Sequence, residues 1–339
     1  MKNPAKIRKI LNLVIQLTIL VVTCGFIYKQ VFFKTGFPEL MRSLRDDIFS
    51  PEFQRQLILV LFLMLVNWSI EAYKWKFLIS KIERISFFRA FQAVLTGVSI
   101  SSFTPNRIGE YFGRVFILRK ASHIEGILIT ILGSMSQLLV TVITGTLSLL
   151  VFLPAYFPHA IYANGYIYYG LIFLVILLDL LLLGMFFNVS FLSALKEKLL
   201  RNGLKKLRLY FRVFGFFHNK ELVFLIFLSF SRYVVFSFQF FLLLRMFAVP
   251  LPIFNALVLI SLIYFIMAII PTIALTELGI RGSVAVYFFG HYLSQGFPVT
   301  DGFNLGIFSA STMLWMINLG IPALAGTAFV FRLQFFRKS

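Results

Sequence analysis

The sequence predicts an all-α polytopic membrane protein, with about six membrane-spanning helices and two broken, re-entrant helix pairs in an inverted-repeat arrangement. Three observations predict this class: 59% of the 339 residues are hydrophobic, only 13% are charged, and the mean hydropathy is +0.89. Soluble domains carry about 25% charged residues, so this chain lacks the polar residues that would cover a globular surface. No polar stretch is long enough for a soluble domain, and residues 1–339 are expected to form a single membrane domain.

Six apolar runs are long enough to cross a bilayer, which requires about 20 residues in a helix. They cover residues 10–33, 56–80, 123–153, 165–187, 221–246 and 304–331. The first run follows a basic N-terminus, as in a signal-anchor helix that is retained. Two further apolar regions, 87–119 and 253–290, are interrupted near their middle by Pro, Gly and charged residues. Each half is too short to span comfortably, so each region is predicted to enter the membrane and return.

The distribution of Lys and Arg favours this returning arrangement, because cytoplasmic loops carry an excess of these residues. If both broken regions return, the basic turn at 81–89, the strongly basic segment 188–220 and both chain termini are cytoplasmic. If region 87–119 crossed once, segment 188–220 would lie outside. The two broken regions then enter from opposite faces, which is the topology of transporters whose substrate site lies near the midplane. The repeat is topological, since the two breaks share few identical residues.

The net charge of +19 is explained mainly by these cytoplasmic segments, and no nucleic-acid partner is expected. Within 188–220, apolar residues recur at alternating spacings of 4 and 3 with basic residues between them: Leu200, Leu204, Leu207, Phe211 and Phe214. This pattern is typical of an amphipathic helix at the membrane interface that favours anionic headgroups. A basic linker that only fixes orientation explains the segment equally well.

Ionisable residues at membrane depth are costly and are therefore candidates for function. The candidates for substrate binding and translocation are Thr104, Pro105, Arg107, Gly109, Glu110 and Arg114 in the first break, Thr276, Glu277, Gly279 and Arg281 in the second, and Arg232 near the middle of run 221–246. Thr104 and Thr276 are predicted to cap half-helices, whose free N–H groups and positive dipole ends attract anions. Two such helix ends and the four arginines would form a phosphate-sized anion site.

The two glutamates in the breaks have several roles open to them. Glu110 and Glu277 would balance the arginines, hold a cationic headgroup or carry a coupling proton. The competing interpretation is that the charges of the two breaks pair internally and only hold the fold. Asp179 and Glu71 lie nearer the cytoplasmic ends of their predicted helices, and there the structural interpretation is favoured.

No enzyme signature is present, and no cofactor or metal is expected. The four histidines are scattered without a two-histidine metal spacing, and Cys24 is the only cysteine. The chain contains no G-x-S-x-G, P-loop or G-x-G-x-x-G motif. A catalytic carboxylate pair formed by Glu110 and Glu277 remains an alternative to transport.

The first break carries a recognisable motif. Thr104, Pro105, Arg107, Gly109 and Glu110 form T-P-x-R-x-G-E, which continues to Arg114. This motif resembles a signature of the lysylphosphatidylglycerol synthase transmembrane (flippase-like) family, and the resemblance covers essentially the whole chain. The segment Pro271–Gly282 is similar to the family's second signature, but Ala-Leu-Thr-Glu at 274–277 replaces the usual Pro-Gly-Gly.

In two-domain members of that family, the membrane region moves aminoacylated phospholipid between leaflets, and a C-terminal soluble domain attaches the amino acid. The resemblance therefore implies a stand-alone lipid flippase in the bacterial cytoplasmic (inner) membrane that does not make aminoacyl lipid itself. Its substrate would be an anionic or aminoacylated phospholipid or a polyprenyl-linked lipid, with a lipid-modifying enzyme as a further partner. The alternatives are an intramembrane enzyme acting on lipid headgroups and a non-transporting subunit of an envelope-lipid synthesis complex.

Overall fold

The computed structural model describes an all-helical chain. It covers residues 49–102, 104, 107–156, 165–188, 212–270, 274–294 and 301–330, together with isolated positions between 11 and 25. All regular elements in these ranges are helical, which confirms the all-α class. Most of the predicted first span, 10–33, and most of the basic segment 188–220 lie outside the described residues.

The helices follow one another as α1 (Pro51–Ile79), α2 (Phe87–Ser101), α3 (Gly109–Val115), α4 (His123–Tyr156), α5 (Gly165–Phe187), α6 (Asn219–Met246), α7 (Ile253–Ile269), α8 (Ala274–Ser294), α9 (Asp301–Trp315) and α10 (Ile321–Val330). A π-helical turn, Met316–Gly320, joins α9 to α10. Within the described residues, four of these helices (α1, α4, α5 and α6) and the continuous helical run Phe303–Val330 (α9, the π-helical turn and α10) are long and apolar enough to cross a membrane. They coincide with five of the six predicted spans.

The described residues fall into two compact units. The first unit takes residues from Met1–Thr130, Pro271–Gly279 and Thr312–Ser339, and the second from Ile131–Ile270 and Ile280–Ser311. Helix α8 contributes its first turns to the first unit and the remainder to the second. The expectation of a single membrane domain stays a prediction.

The first broken region folds into an antiparallel hairpin of α2 and α3. Gly97 on α2 faces Gly113 on α3, and a Cβ built at Gly113 would lie 2.7 Å from the Cα of Gly97. At the open end of the hairpin, the guanidinium of Arg89 donates a hydrogen bond to the backbone oxygen of Ile117. The chain therefore returns along α2, whereas the entry of this hairpin into a membrane, and the face from which it enters, stay predictions.

Glu83, in the turn before α2, holds the segment that follows α3 at this open end of the hairpin. Its carboxylate accepts hydrogen bonds from the backbone N–H groups of Arg119, Lys120 and Ala121, at distances of 2.7 to 3.1 Å. Burial by itself raises the pKa of Glu83, but these three donors and the nearby charge of Arg89 outweigh it and lower the pKa below its ordinary value. The carboxylate is thus held ionised in the turn between α1 and α2.

Helix α2 is also packed tightly against α10 in the first unit. The hydroxyl of Ser99 donates to the backbone oxygen of Ala323 at 2.6 Å. A Cβ built at Gly326 would lie 2.1 Å from the backbone oxygen of Leu95, so the two backbones touch at this position. Small residues thus allow α2 to lie close to both α3 and α10, as is common between membrane helices.

Replacing Gly113 with alanine tests this close packing. The new methyl group would meet the backbone of α2, which cannot move aside like a flexible side chain, so we expect a loss of about 1–3 kcal/mol in the free energy of unfolding. Thermal unfolding in detergent measures the effect. Gly184 on α5 is the matched control, because a Cβ there meets nothing within 4 Å. Equal stability of the Gly113→Ala and Gly184→Ala variants would contradict the close packing.

The second broken region, α7 and α8, has its own contacts at the end of α4. Tyr156 at the end of α4 hydrogen-bonds Asn255 near the start of α7, and its ring lies 6.0 Å from that of Tyr292 near the end of α8. Burial and then the neighbouring Tyr292 raise the pKa of Tyr156 to about 12, while the Asn255 hydrogen bond lowers it. The open ends of α7 and α8 therefore lie together in the second unit. With 21 residues, α8 is longer than the predicted half-helix.

Candidate functional site

The tip of the α2–α3 hairpin is held by Thr104 and Gly109. The Thr104 hydroxyl accepts a hydrogen bond from the N–H of Gly109 at 2.9 Å and lies 3.2 Å from the backbone oxygen of Ser101, to which it donates. Thr104 thus satisfies the first N–H group of α3, although it lies several residues before the helix. A Cβ at Gly109 would lie 2.6 Å from the backbone oxygen of Ile100, so only glycine fits at this turn.

Arg107 sits at this tip in an unusual backbone conformation. Its φ of 56° lies in the left-handed region, which costs a residue other than glycine about 1–2 kcal/mol. One guanidinium nitrogen lies 2.8 Å from both carboxylate oxygens of Glu277, in the first turns of α8. The structure therefore joins the two predicted breaks through an ion pair between residues 170 positions apart.

The two partners of this ion pair differ in their access to the surroundings. The side chain of Arg107 is 42% exposed, whereas that of Glu277 is only 5% exposed. A buried carboxylate without a cation is strongly unfavourable. Moving Arg107 away from Glu277 without a replacement cation would therefore be costly.

A second group of charges lies buried between α1 and α3. Arg114 contacts two carboxylates: its Nη1 donates to Glu71 at 2.8 Å, and its Nη2 pairs with Glu110. The ammonium of Lys74 lies 3.0 Å from the other oxygen of Glu71. The side chains of Arg114, Lys74 and Glu71 are no more than 6% exposed. We call these four residues the buried charge network.

The charges described here balance one another within the first unit. Three cations (Lys74, Arg107 and Arg114) accompany three carboxylates (Glu71, Glu110 and Glu277). An arriving phosphate would therefore compete with a carboxylate for Arg107 or Arg114. Arg114 is held by two carboxylates and is almost fully buried, whereas Arg107 is half-exposed and pairs with one. Of these three cations, Arg107 is thus the one that a ligand can reach most easily.

The remaining predicted site residues are located as follows. Pro105 and the side chain of Thr276 lie outside the described residues. Gly279 is exposed, and a Cβ there would meet nothing within 4 Å. Arg232 and Arg281 belong to the second unit, where Arg232 is half-buried and Arg281 is 8% exposed.

Sequence reasoning favoured a structural role for Glu71 without naming its partners, and it did not consider Lys74. The available signal was their spacing, because a Glu and a Lys three residues apart lie on the same face of a helix. Because both residues follow the apolar stretch 57–66 of this helix, the pair is a reason to expect further charges on the facing element. On the same helix, Asn67 donates to Asn318 of the π-helical turn at 3.2 Å.

Among the described residues, no group of three or more His, Cys, Asp and Glu side chains could hold a metal ion.

The comparisons with known proteins place the chain in a family. Neither the curated proteins nor the solved structures include a significant match to this chain. The family model described as the lysylphosphatidylglycerol synthase TM region matches residues 10–320. The chain therefore belongs to this family of integral membrane proteins, which are involved in lipid handling.

Proposed function

We propose that the protein is a flippase, moving a lipid between the membrane leaflets by admitting its headgroup to the Arg107–Glu277 ion pair. The observation that carries this proposal is the contact itself: a half-exposed arginine at the tip of one hairpin pairs with a buried carboxylate at the start of α8. Charged groups at membrane depth are expensive and mark substrate pathways. The acyl chains would stay in the surrounding lipid, while only the headgroup passes through the protein.

The ion pair would open by exchange of partners. The phosphate of the headgroup would take the guanidinium of Arg107, and a positive group of the same headgroup would take the carboxylate of Glu277. After this exchange, each of the two charges again has a partner of opposite sign. Separating the ion pair without such partners would be strongly unfavourable in a medium of low dielectric constant. Headgroups that carry both charges, as zwitterionic and aminoacylated phospholipids do, are therefore favoured over purely anionic or polyprenyl-phosphate lipids.

The buried charge network would serve as the fixed support of this movable pair. Arg114 bridges Glu71 of α1 and Glu110 of α3, so it anchors the hairpin that carries Arg107. The distribution of Lys and Arg supports both termini in the cytoplasm and hairpins that enter from opposite faces of a bacterial inner membrane. In that topology, the Arg107–Glu277 contact would lie near the midplane, where a headgroup can be reached alternately from either leaflet.

The proposal is tested with purified protein in vesicles that contain a fluorescent zwitterionic phospholipid. We expect the wild-type protein to exchange the label between leaflets, and the Arg107→Ala variant to do so at least about tenfold more slowly, since hydrogen bonds to charged groups contribute about 1.5–3 kcal/mol. Arg55→Ala is the matched control, because Arg55 is an exposed arginine near the start of α1.

Three outcomes of this assay would count against the proposal. Wild-type vesicles that exchange no more label than protein-free vesicles would contradict lipid movement. Equal rates for the Arg107→Ala and Arg55→Ala variants would remove the ion pair from the mechanism. A covalently altered lipid recovered from the vesicles would favour the intramembrane enzyme.

A further inference from the structure

Helix α5 carries one buried acid in an otherwise apolar helix. Its described buried residues are only Val175, Asp179 and Phe186, and much of the remaining surface is exposed leucine, isoleucine and phenylalanine. Asp179 is flanked by Leu178 and Leu180, and it is 7% exposed. An ionised carboxylate in such surroundings is costly, so the position calls for an explanation beyond packing.

The contact of Asp179 with α4 is a single hydroxyl group. Oγ1 of Thr146 lies 3.0 Å from Oδ2 and 3.2 Å from Oδ1 of Asp179. The same oxygen lies 2.9 Å from the backbone oxygen of Val142 and 3.0 Å from that of Ile143. A threonine hydroxyl has one proton to donate but can also accept. It therefore cannot donate to the carboxylate and to a backbone oxygen of its own helix at the same time.

Two proton arrangements satisfy this geometry with the same heavy-atom positions. When Asp179 is ionised, the Thr146 hydroxyl donates to the carboxylate. When Asp179 is protonated, its own O–H group donates to Oγ1 of Thr146, and the hydroxyl turns to donate to the backbone oxygen of Val142 or Ile143. Thr146 can thus serve either state by rotating one hydroxyl proton.

The charged side chains of the two contacting helices, α4 and α5, do not hold Asp179 in either its ionised or its protonated state. Apart from Asp179, α5 contains no Asp, Glu, Lys, Arg or His, and neither does α4 from Gly126 to Tyr156. The other titratable groups of these two stretches are tyrosines near the helix ends: Tyr156, Tyr166, Tyr168 and Tyr169. The hydroxyl of Tyr168 donates to the backbone oxygen of Leu150 at 3.0 Å. The described contact therefore supplies no cation that would hold Asp179 permanently ionised.

We propose that Asp179 and Thr146 form a reversible proton-binding site within the membrane. The carboxylate takes up one proton from the aqueous phase to form an O–H bond, and it releases that proton again without any other change of covalent bonds. This role differs from the purely structural one that the sequence suggests for Asp179. The proton-binding site does not depend on lipid movement, so it is tested independently of the proposed function.

Infrared spectroscopy of the full-length protein in membranes tests the site. The carbonyl stretch of a protonated carboxylic acid is recorded from about pH 3 to pH 10, a range that brackets the pKa values of both ordinary and deeply buried carboxyl groups. We expect a band that disappears as the pH rises and that is absent from the Asp179→Asn variant. A band that stays constant over this range, or no band that depends on Asp179, would overturn the proposal.

Thr146 variants supply a second measurement that does not require the Asp179→Asn variant to fold. Thr146→Val removes the donor to the ionised carboxylate, so the proton should be retained to higher pH, with the midpoint raised by about one pH unit. Thr146→Ser keeps the hydroxyl and should titrate like the wild type. Equal midpoints for the valine and serine variants would overturn the role of Thr146 in the site.

Discussion

Replacing Glu71 with glutamine should lower the free energy of unfolding by about 3–5 kcal/mol, the usual cost of removing one partner from a buried ion pair. Glu71 accepts from both Arg114 and Lys74, and the neutral amide would leave two buried cations with one carboxylate, Glu110, in the network. The loss should be visible as a large decrease in the midpoint of unfolding in a mixed-detergent titration.

Two further variants show whether this loss is electrostatic. Glu52→Gln removes a carboxylate from the exposed first turn of the same helix, and it should leave stability nearly unchanged. Combining Glu71→Gln with Lys74→Met should recover part of the loss, because replacing both members of a buried pair with uncharged groups is often close to neutral. If Glu71→Gln and Glu52→Gln were equally stable, the buried charge network would not hold α3 against α1.

The sequence predicted the membrane-spanning helices well because their signal is local. A run of about 20 apolar residues is sufficient to identify such a helix, and five predicted spans match helices of the described residues. The positions of the two breaks were also predictable, since a cluster of Pro, Gly and charged residues within an apolar stretch favours the end of a helix. The lengths of the helices that flank each break were less predictable. Helix α3 has only 7 residues and α8 has 21, because packing rather than composition decides where these helices end.

The pairing of charges could not be predicted from one sequence. Arg107 and Glu277 were both candidates, but their contact joins positions 170 residues apart, and no local pattern encodes it. Arg114 was a candidate for binding an anion, and it pairs with Glu71 and Glu110, so a phosphate would compete with these carboxylates for its guanidinium. The left-handed backbone conformation of Arg107 could not be predicted either, since residues other than glycine rarely adopt it.

Reversing the charge of Arg107 should stop lipid movement more completely than removing it. In an Arg107→Glu variant, two carboxylates would face each other where the guanidinium now lies 2.8 Å from Glu277. Like charges at this distance in a low-dielectric environment repel strongly, so the hairpin tip would be pushed away from α8. We expect exchange of a labelled zwitterionic lipid to fall to the rate of protein-free vesicles, and the Glu277→Arg variant to behave in the same way.

The rate of lipid exchange in the double variant Arg107→Glu with Glu277→Arg tests the central claim most directly. The opposite charges are restored with their positions exchanged, so a headgroup that carries both charges can again replace each partner. We expect the double variant to regain part of the wild-type rate and to exceed both single variants at least about tenfold, as a restored charged contact of about 1.4 kcal/mol or more requires. Wild-type exchange by the Arg107→Glu variant, or a double variant as slow as the single ones, would contradict the exchange of partners at this ion pair.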